Sequence, residues 1–304
     1  MIVIDGSHTL SRSKYVAAST FRPKLANDEE LWQPICFLFI RMLITFLTKY
    51  KSENEPVVVA WDSRPYLREA WYPNFKGWTE PETEEERKEQ EYLSRMSTLA
   101  SSVLEEWLPK INIMSLRVEQ SEADDIGYVL GSIAESGTFC TEDLDWMRSL
   151  RSGWQQYRPV TEELLTFDAI FDPDWYGIDK ADDWYEQLIW FTLLVGGKGA
   201  PGVHGVGWGT ARSLSRRIME GTLREGYVRD EKVTESLEEL RSYWNLVDFR
   251  ATATYLREPI LTSYAMSRLS TQECTPETWI NLASYLNSTI LFDKQIDALY
   301  IFNL

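Results

Sequence analysis

Several acidic residues of this 304-residue sequence stand where short apolar runs end. Each run has the length and the β-branched content of a buried strand. The ends of parallel strands meet at one edge of an open α/β sheet, so acids at these positions can lie together although they are far apart in sequence. The acids concerned are Asp5, Asp62, Asp143 and Asp145, and Glu122, Asp124 and Asp125 join them at the start of a helix-like segment.

The charge of such a group predicts a metal site. A single acid at a strand end or in a first helical turn is more often a helix cap than a ligand. The segment 122–125 puts three acids in one turn, which is more than a cap needs. Like charges in one crevice repel unless a cation compensates them, and oxygen ligands with almost no His or Cys favour Mg²⁺ or Mn²⁺ over zinc. Metal-assisted phosphoryl transfer is the chemistry that this site would support.

The composition sets limits on the class of protein. A hydrophobic content of 44% predicts a folded chain with a sizeable core, in one large domain or two smaller ones. The odd count of three widely spaced cysteines argues against a disulfide framework. An uninterrupted run of about 18 apolar residues and a signal-peptide pattern are both missing, so we expect a cytoplasmic protein without a membrane partner.

The formal net charge of −16 would repel a polyanion at long range, so contact with nucleic acid would have to be local. An acidic-surface protein without a nucleic-acid partner remains open on charge alone.

Hydrophobic periodicity predicts an α/β fold with a mainly parallel central sheet flanked by helices. Strands are predicted at 1–5, 56–62 and 111–118, and helices at 29–50 and 122–134. A long, highly charged helix is predicted at 80–108, between two prolines. Irregular strands and turns at 154–173 lead to a further helix at about 184–194.

A glycine-rich segment at 202–211 lies between two helix-like runs. Its glycines would let the backbone approach a phosphate, and the amides at the start of the next helix would point outward. Several arginines follow on that helix, so a site for the backbone of a duplex is the sharper interpretation, and a plain helix connection is the alternative. The predicted DNA contacts are Gly202, Gly205, Gly207, Thr210, Arg212 and Arg216.

These motifs resemble those of the 5′-nuclease, or flap endonuclease, superfamily, in the style of bacteriophage 5′-to-3′ exonucleases and RNase H-type primer-removing nucleases. The resemblance runs from residue 1 to about residue 217. It rests on five motifs in family order: Ile4-Asp5-Gly6; Trp61-Asp62-Ser63-Arg64 with Arg68 and Tyr72-Pro73-Asn74-Phe75-Lys76; Glu122-Ala123-Asp124-Asp125; Asp143-Leu144-Asp145; and the glycine-rich segment.

The resemblance implies a PIN-like 5′-nuclease fold with a helical arch at 80–108 and a C-terminal helix-hairpin-helix-type helical region. It implies a metal-dependent nuclease domain at 1–195 and a duplex-binding region at 196–304. Lys76 would reach the scissile phosphate, with Arg68 on the same basic segment, and a monovalent cation at the glycine loop is a further expectation. The first metal position would be lined by Asp5, Asp62, Glu122, Asp124 and Asp125, and the second by Asp143 and Asp145.

The implied activity is hydrolysis of phosphodiesters at 5′ ends or flaps of DNA, or of RNA primers on DNA, during phage replication. The implied partners are branched, flapped or primed DNA or an RNA/DNA hybrid, with other replication proteins, for a monomer in the host cytoplasm. One departure is Gly197, which stands where an aspartate of the second metal position is expected. It keeps open a catalytically weakened relative that binds branched or primed DNA as a replication accessory protein. A PIN-like ribonuclease is a third, less favoured interpretation.

Overall fold

The central element of the fold is a six-stranded sheet in the order β3-β2-β1-β4-β5-β6. The computed structural model describes residues 1–25, 27–72, 83–197, 199–225, 227–287 and residue 302. The first five strands in this order pair in parallel, and the last pair is antiparallel. The sheet therefore has the mainly parallel form that the sequence predicts. The strands are β1 (Ile2–Asp5), β2 (Val57–Trp61), β3 (Met114–Arg117), β4 (Gly137–Cys140), β5 (Trp154–Arg158) and β6 (Glu163–Thr166).

Helices cover both faces of this sheet. Because β1 and β2 are buried along their whole length, they are continuous apolar runs rather than alternating ones. The helices are α1 (Gly6–Thr20), α2 (Trp32–Tyr50), α3 (Tyr66–Trp71), α4 (Glu84–Trp107), α5 (Ala123–Gly131), α6 (Trp184–Val195), α7 (Trp208–Met219), α8 (Val228–Ser242), α9 (Trp244–Val247), α10 (Phe249–Ser270) and α11 (Pro276–Tyr285).

Two hydrophobic clusters hold these layers together. Ile2 and Ile4 of β1 point into a cluster with α1, α2, α4 and α11, whereas Val3 points into a cluster with α5 to α8 and α10. This division follows from the alternation of side chains across a strand. Residues on both sides of position 195 share the second cluster, and the proposed division at 1–195 and 196–304 stays a prediction.

Helix α1 is the main element that the sequence patterns do not predict. Its buried positions include small and polar side chains such as Thr9, Ser13 and Ala17, so its apolar periodicity is weak. It begins because the Asp5 carboxylate caps it and accepts a hydrogen bond from the backbone N–H of His8 at 2.8 Å.

Helix α2 lies in a segment, Asp28–Tyr50, that is long and apolar enough, by length and composition, to cross a membrane. Residues such as Arg41 interrupt the run, which is why a search for an uninterrupted apolar stretch does not single it out. Ile35, Phe39 and Leu43 are buried in the cluster shared with α1 and α4. A core helix has this composition too, and one such helix is weak evidence for a membrane span.

The predicted arch at 80–108 is represented by α4, since residues 80–82 lie outside the described part of the chain. A capping box formed by Thr83 and Glu86 starts this helix. Its second half packs against α2 from Leu93 onward, and residues 83–91 are exposed and strongly acidic. Only this first part of the described helix stands clear of the core.

Candidate metal centre

Five of the seven predicted acidic ligands line one cavity at the carboxyl edge of the sheet. Asp5 ends β1, Asp62 follows β2 directly, and Asp143 comes three residues after β4. The N-terminus of α5 closes the cavity from the side. The cavity has a volume of about 230 Å³ and is lined by Asp5, Ser7, His8, Ser11, Asp62, Glu122, Ala123, Asp124, Asp143 and Trp146.

Asp5 lies at the base of this cavity and is almost fully buried. Its Oδ1 accepts from the backbone N–H of His8, and its Oδ2 accepts from the Thr141 hydroxyl at 3.0 Å. Burial, followed by the charges of Asp62 and Asp143, raises the pKa of Asp5 to about 8 in spite of these hydrogen bonds. Without a cation, the cavity therefore favours a proton on this carboxyl.

Asp62 connects three elements around the cavity. Its carboxylate Oδ1 accepts from the backbone N–H of Ala123 at 2.8 Å, at the start of α5. Its own backbone N–H donates to the Ser7 hydroxyl of α1 at 2.7 Å. The end of β2 is thus fixed against the N-termini of α1 and α5, and an acid next to a helix N-terminus is electrostatically favourable.

Asp124 belongs to both groups of acids that could hold an ion. One group combines it with Glu122 and Asp125, and the other with Asp143 and Asp145; in each, the oxygen atoms lie within 4.8 Å of one another. The resemblance assigned Asp124 to the first metal position alone. The structure instead puts Asp124 between the two positions, where one ion could contact it together with Asp143.

Arg68 is held beneath the first group and is 1% exposed. Its Nη1 donates to Glu122 Oε2 at 2.5 Å and to Asp125 Oδ2 at 2.8 Å, and its Nη2 donates to Asp125 Oδ1 at 2.6 Å. Burial would lower the pKa of Arg68, but the charges of Asp125 and Glu122 raise it above its ordinary value. This placement differs from the predicted role at the reacting phosphate, because the guanidinium is engaged in fixing two acids.

Asp125, a member of the first group, is also engaged by other parts of the chain. In addition to Arg68, it accepts from the backbone N–H of Glu122 at 3.0 Å and from the Thr252 hydroxyl at 2.8 Å. Both of its oxygens are engaged, and it is not among the residues that line the cavity. Its geometry is that of an anchor for Arg68 and for the start of α5.

Asp145 has a comparable partner in Arg148, a residue that the sequence analysis did not single out. Asp145 donates its backbone N–H to Asp143 Oδ1 at 2.8 Å, and its carboxylate Oδ1 lies 2.8 Å from Arg148 Nη2. The two residues share a short 3₁₀ helix, Leu144–Ser149. Their separation by three positions, which brings side chains together on a helix, is the signal that could have indicated the pair.

The glycine-rich segment joins α6 to α7 and contains backbone conformations that favour glycine. Gly202 and Gly205 have φ values of 70° and 82°. A Cβ at Gly202 would lie 2.7 Å from the carbonyl oxygen of Val195, so this glycine permits close packing. A Cβ at Gly205 or Gly207 would meet nothing within 4 Å. That side of the loop is open at the N-terminus of α7, next to Thr210.

The arginines that follow the loop are engaged by other parts of the chain. Arg212 donates from Nε to the carbonyl of Tyr176 at 2.8 Å and from Nη2 to that of Trp175 at 2.7 Å. Arg216 pairs with Asp179, and Arg217 pairs with Asp230. The predicted row of free positive charges after the loop is therefore largely compensated, which the sequence pattern could not indicate because the partners lie in distant segments.

Two further predicted positions complete the comparison. Lys76 lies outside the described residues. Gly197 pairs through its backbone with Ala200, and its φ lies outside the left-handed region that favours glycine. An added Cβ at Gly197 would meet only Thr192 Cγ2, at 3.4 Å. The backbone at this position does not itself require a glycine.

The donor set fits a hard divalent cation, since it consists of carboxylate oxygens around a small cavity that favours added positive charge. Together with the parallel sheet and the glycine loop, this site has the features that the resemblance to the 5′-nuclease superfamily implies. Residues 1–173 match the family model described as the N-terminal resolvase-like domain of 5′-3′ exonucleases. The chain belongs to that family.

Solved structures of bacteriophage T5 proteins share the fold. A T5 protein co-crystallised with metal ions aligns with a TM-score of 0.63 and 17% identity, over 99% of this chain and 98% of that one. The T5 flap endonuclease in a complex with DNA and metal ions aligns with a TM-score of 0.61 and 17% identity, over 100% and 99% of the two chains. Similarity at this level of identity shows a common fold. A search of curated proteins finds no match.

Proposed function

We propose that this chain uses Mg²⁺, with Mn²⁺ as a substitute, to hydrolyse phosphodiester bonds at 5′ ends or flaps of DNA or of RNA primers on DNA. The observation that carries the proposal is the convergence of five carboxylates, from three strand ends and one helix start, on a single cavity. Family membership supports the reaction class. The DNA complex of the T5 flap endonuclease supports DNA as the substrate.

Each side chain at the cavity has a distinct task in this proposal. A bound divalent ion would supply an activated water and neutralise charge that develops on the phosphate. In this proposal Asp124 and Asp143 contact the ion directly, since both line the cavity and an oxygen of one lies within 4.8 Å of an oxygen of the other. Asp5 and Asp62 orient the cavity through their bonds to the backbone of α1 and α5. Arg68 fixes the Glu122 carboxylate through a hydrogen bond to its Oε2.

For the duplex, we propose that backbone amides make the main contacts at the glycine loop. The open space around Gly205 and Gly207, next to the N-terminus of a 12-residue helix, suits a phosphate group. Arg212 is fixed to two carbonyl groups and therefore supports the loop rather than the substrate. A monovalent cation at this loop stays a prediction, as do a monomeric state, partners in replication and a location in the host cytoplasm.

The function is tested with a 5′-labelled flap duplex, a matched blunt duplex and a duplex with an RNA primer. Cleavage near the 5′ end in Mg²⁺ or Mn²⁺, and its loss when EDTA is added, is the expected result. The same substrates with a 3′ label report whether the cut is endonucleolytic or proceeds from the end. Metal-independent cleavage, or cleavage only from the 3′ end, would contradict the proposal.

A weakened relative that binds branched or primed DNA is the second candidate. The observation that favours it is the pairing of Asp145 with Arg148, because this pair reduces the negative charge available to a second ion. Flap binding measured by fluorescence anisotropy in Ca²⁺ separates the two functions. Tight and structure-selective binding, without cleavage in Mg²⁺ or Mn²⁺ at any concentration, would assign the accessory role.

A further inference from the structure

We infer that Arg148 is a built-in cation that takes the place of a second divalent ion, so that the cleft binds one divalent ion tightly instead of two. The inference rests on the metal-dependent function proposed above. It concerns the part of the cleft formed by Asp124, Asp143 and Asp145, whose oxygens could otherwise form a second cage.

The position of Arg148 is fixed from several directions. It is 1% exposed, its Nη1 donates to the carbonyl of Val247 at 3.2 Å, and its Nε donates to the carbonyl of Asp145 at 3.2 Å. Its guanidinium carbon lies 4.9 Å from the centre of the Phe249 ring. A side chain held in this way cannot swing out to solvent without losing contacts to α9 and α10.

The charge of Arg148 is directed at the acids of the cleft. Its Nη2 lies 2.8 Å from Asp145 Oδ1, as an ion pair without the alignment of a hydrogen bond. Burial lowers the pKa of Arg148, but Asp145, followed by Tyr176, Tyr185 and Asp124, raises it above its ordinary value. The guanidinium is therefore charged at any pH at which the nuclease would work.

An ion that coordinated Asp145 through Oδ1 would have to displace this guanidinium. The displaced Arg148 would be a buried charge without its counterion, which is strongly unfavourable. An ion that bound beside the intact pair would meet one neutralised carboxylate and a fixed positive charge within the same group. Both routes weaken a site that needs Asp145 as a ligand, whereas an ion held by Asp124 and Asp143 without Asp145 is affected less.

On the other side of the cleft, an acid outside the cavity is likewise paired with a buried arginine. Two of the seven acids, Asp125 and Asp145, do not line the cavity. Each of these two has a buried arginine as its partner, Arg68 or Arg148. The five acids that do line the cavity surround a single space of about 230 Å³. Glu122 shares Arg68 with Asp125 and still lines the cavity, so both acids outside the cavity, and this one that lines it, are paired with a buried arginine.

The test is the number of Mn²⁺ ions bound by the metal-free full-length protein, measured by titration calorimetry and by electron paramagnetic resonance. Wild type is expected to bind one ion tightly, without the signal of two coupled Mn²⁺ ions. Arg148→Gln removes the charge and is expected to tighten the second site at least tenfold. Arg148→Lys keeps the charge and is expected to bind one ion, as wild type does.

Arg151→Gln is the matched control, because Arg151 is a partly buried arginine of the same region that contacts the carbonyls of Ser149 and Tyr128. Its ion count should equal that of wild type. A thermal melt establishes that each variant is folded. If Arg148→Gln does not fold, Arg148→Met takes its place, and two tight ions in wild type overturn the inference in either case.

Two tight ions of similar affinity in wild type would overturn the inference, as would a folded Arg148→Gln that still binds one. These results leave the proposed function intact. Failure of wild type to bind any Mn²⁺ would instead contradict the metal-dependent function, and the two failures are therefore distinguishable.

Discussion

The acidic cleft and the glycine loop are both built from charged or glycine-rich motifs, but the structure treats their charges in opposite ways. In the cleft, five acids converge on a cavity whose described lining contains no lysine or arginine. At the loop, Arg212, Arg216 and Arg217 are each engaged by a carbonyl or a carboxylate of this chain. The cleft therefore favours an external cation, whereas the positive charges near the loop already have partners within the chain.

The difference comes from how each position is fixed. A residue at a strand end is placed by the topology of the sheet, and its short side chain stays where the backbone puts it. An arginine side chain is long and can turn to whichever acceptor the tertiary structure offers. Sequence motifs are for this reason better guides to the acids of the cleft than to the cations near the loop.

The largest expected effect that sharpens this contrast is that of Asp124→Asn. The asparagine keeps the shape of a side chain that belongs to both candidate ligand groups but removes its charge. We expect the cleavage rate in Mg²⁺ to fall by about 10³-fold or more, since a direct ligand should exceed the roughly 10- to 100-fold effect of an outer partner. Single-turnover kinetics on a 5′ flap give the rate. The affinity for the flap in Ca²⁺ should change much less.

Asp174→Asn, a change at an exposed acid distant in sequence from the cleft residues, is the control and should leave the rate unchanged. A rate for Asp124→Asn within tenfold of wild type would remove Asp124 from the metal site and weaken the contrast.

The second prediction compares two structural arginines, one from each region. Arg68→Met leaves Glu122 and Asp125 buried without their cation and should lower the free energy of unfolding by about 3 kcal/mol or more. Arg212→Met removes hydrogen bonds to two backbone carbonyls and should cost about 1–3 kcal/mol. Urea unfolding followed by circular dichroism measures both. An Arg68→Met variant as stable as wild type would show that Glu122 and Asp125 are solvated or protonated.

The third prediction concerns pH. The pKa of Asp5 is raised to about 8, so in the metal-free protein the carboxyl holds a proton at neutral pH. Stability from this group is fully present below its ordinary pKa of 3.8 and is lost progressively as pH rises from there through about 8, because the unfolded chain releases this proton at a lower pH than the folded one. A divalent ion competes with the same proton. Its affinity should therefore rise by up to about tenfold per pH unit between pH 6 and 8 and then level off.

Calorimetric titration with Mg²⁺ at pH 6, 7, 8 and 9 gives the slope. Asp5→Asn keeps the cap of α1 but has no proton to release, so its affinity should be lower and nearly independent of pH over this range. An equal slope in wild type and variant would assign the titration to another group.

The sequence was sufficient to predict β1 to β4 and most of the acids that line the cavity, whereas β5 and β6 were predicted only as irregular strands and turns. Asp5 and Asp62 follow apolar runs that become β1 and β2, and Asp143 follows the run that becomes β4. What the sequence could not indicate depends on contacts between distant segments. Thr252 reaches Asp125 across 127 positions, and Asp179 meets Arg216 across 37. Helix α1 was not predicted because mostly small residues, rather than a clear apolar stripe, form its buried face.

The smallest expected effect is that of Arg216→Gln. For this residue the sequence motif and the structure lead to different expectations. If Arg216 contacts a phosphate, as its position after the loop predicts, the variant should bind a duplex more weakly and lose about one unit of the slope of log affinity against log salt. In the structure its side chain is 48% exposed and paired with Asp179, which is 41% exposed, and such exposed pairs are worth about 0–1 kcal/mol.

We therefore expect Arg216→Gln to change duplex affinity by no more than about threefold, with an unaltered salt slope, in fluorescence anisotropy titrations. Gly205→Ala is the variant expected to weaken duplex binding, because a φ of 82° at an alanine costs about 1 kcal/mol and should distort the open loop. Gly209→Ala is its control, since Gly209 lies within α7 and a Cβ there also meets nothing within 4 Å. A loss of one salt-slope unit in Arg216→Gln would show that the Asp179 pair opens on DNA binding, and that this region, like the cleft, presents free charge to its ligand.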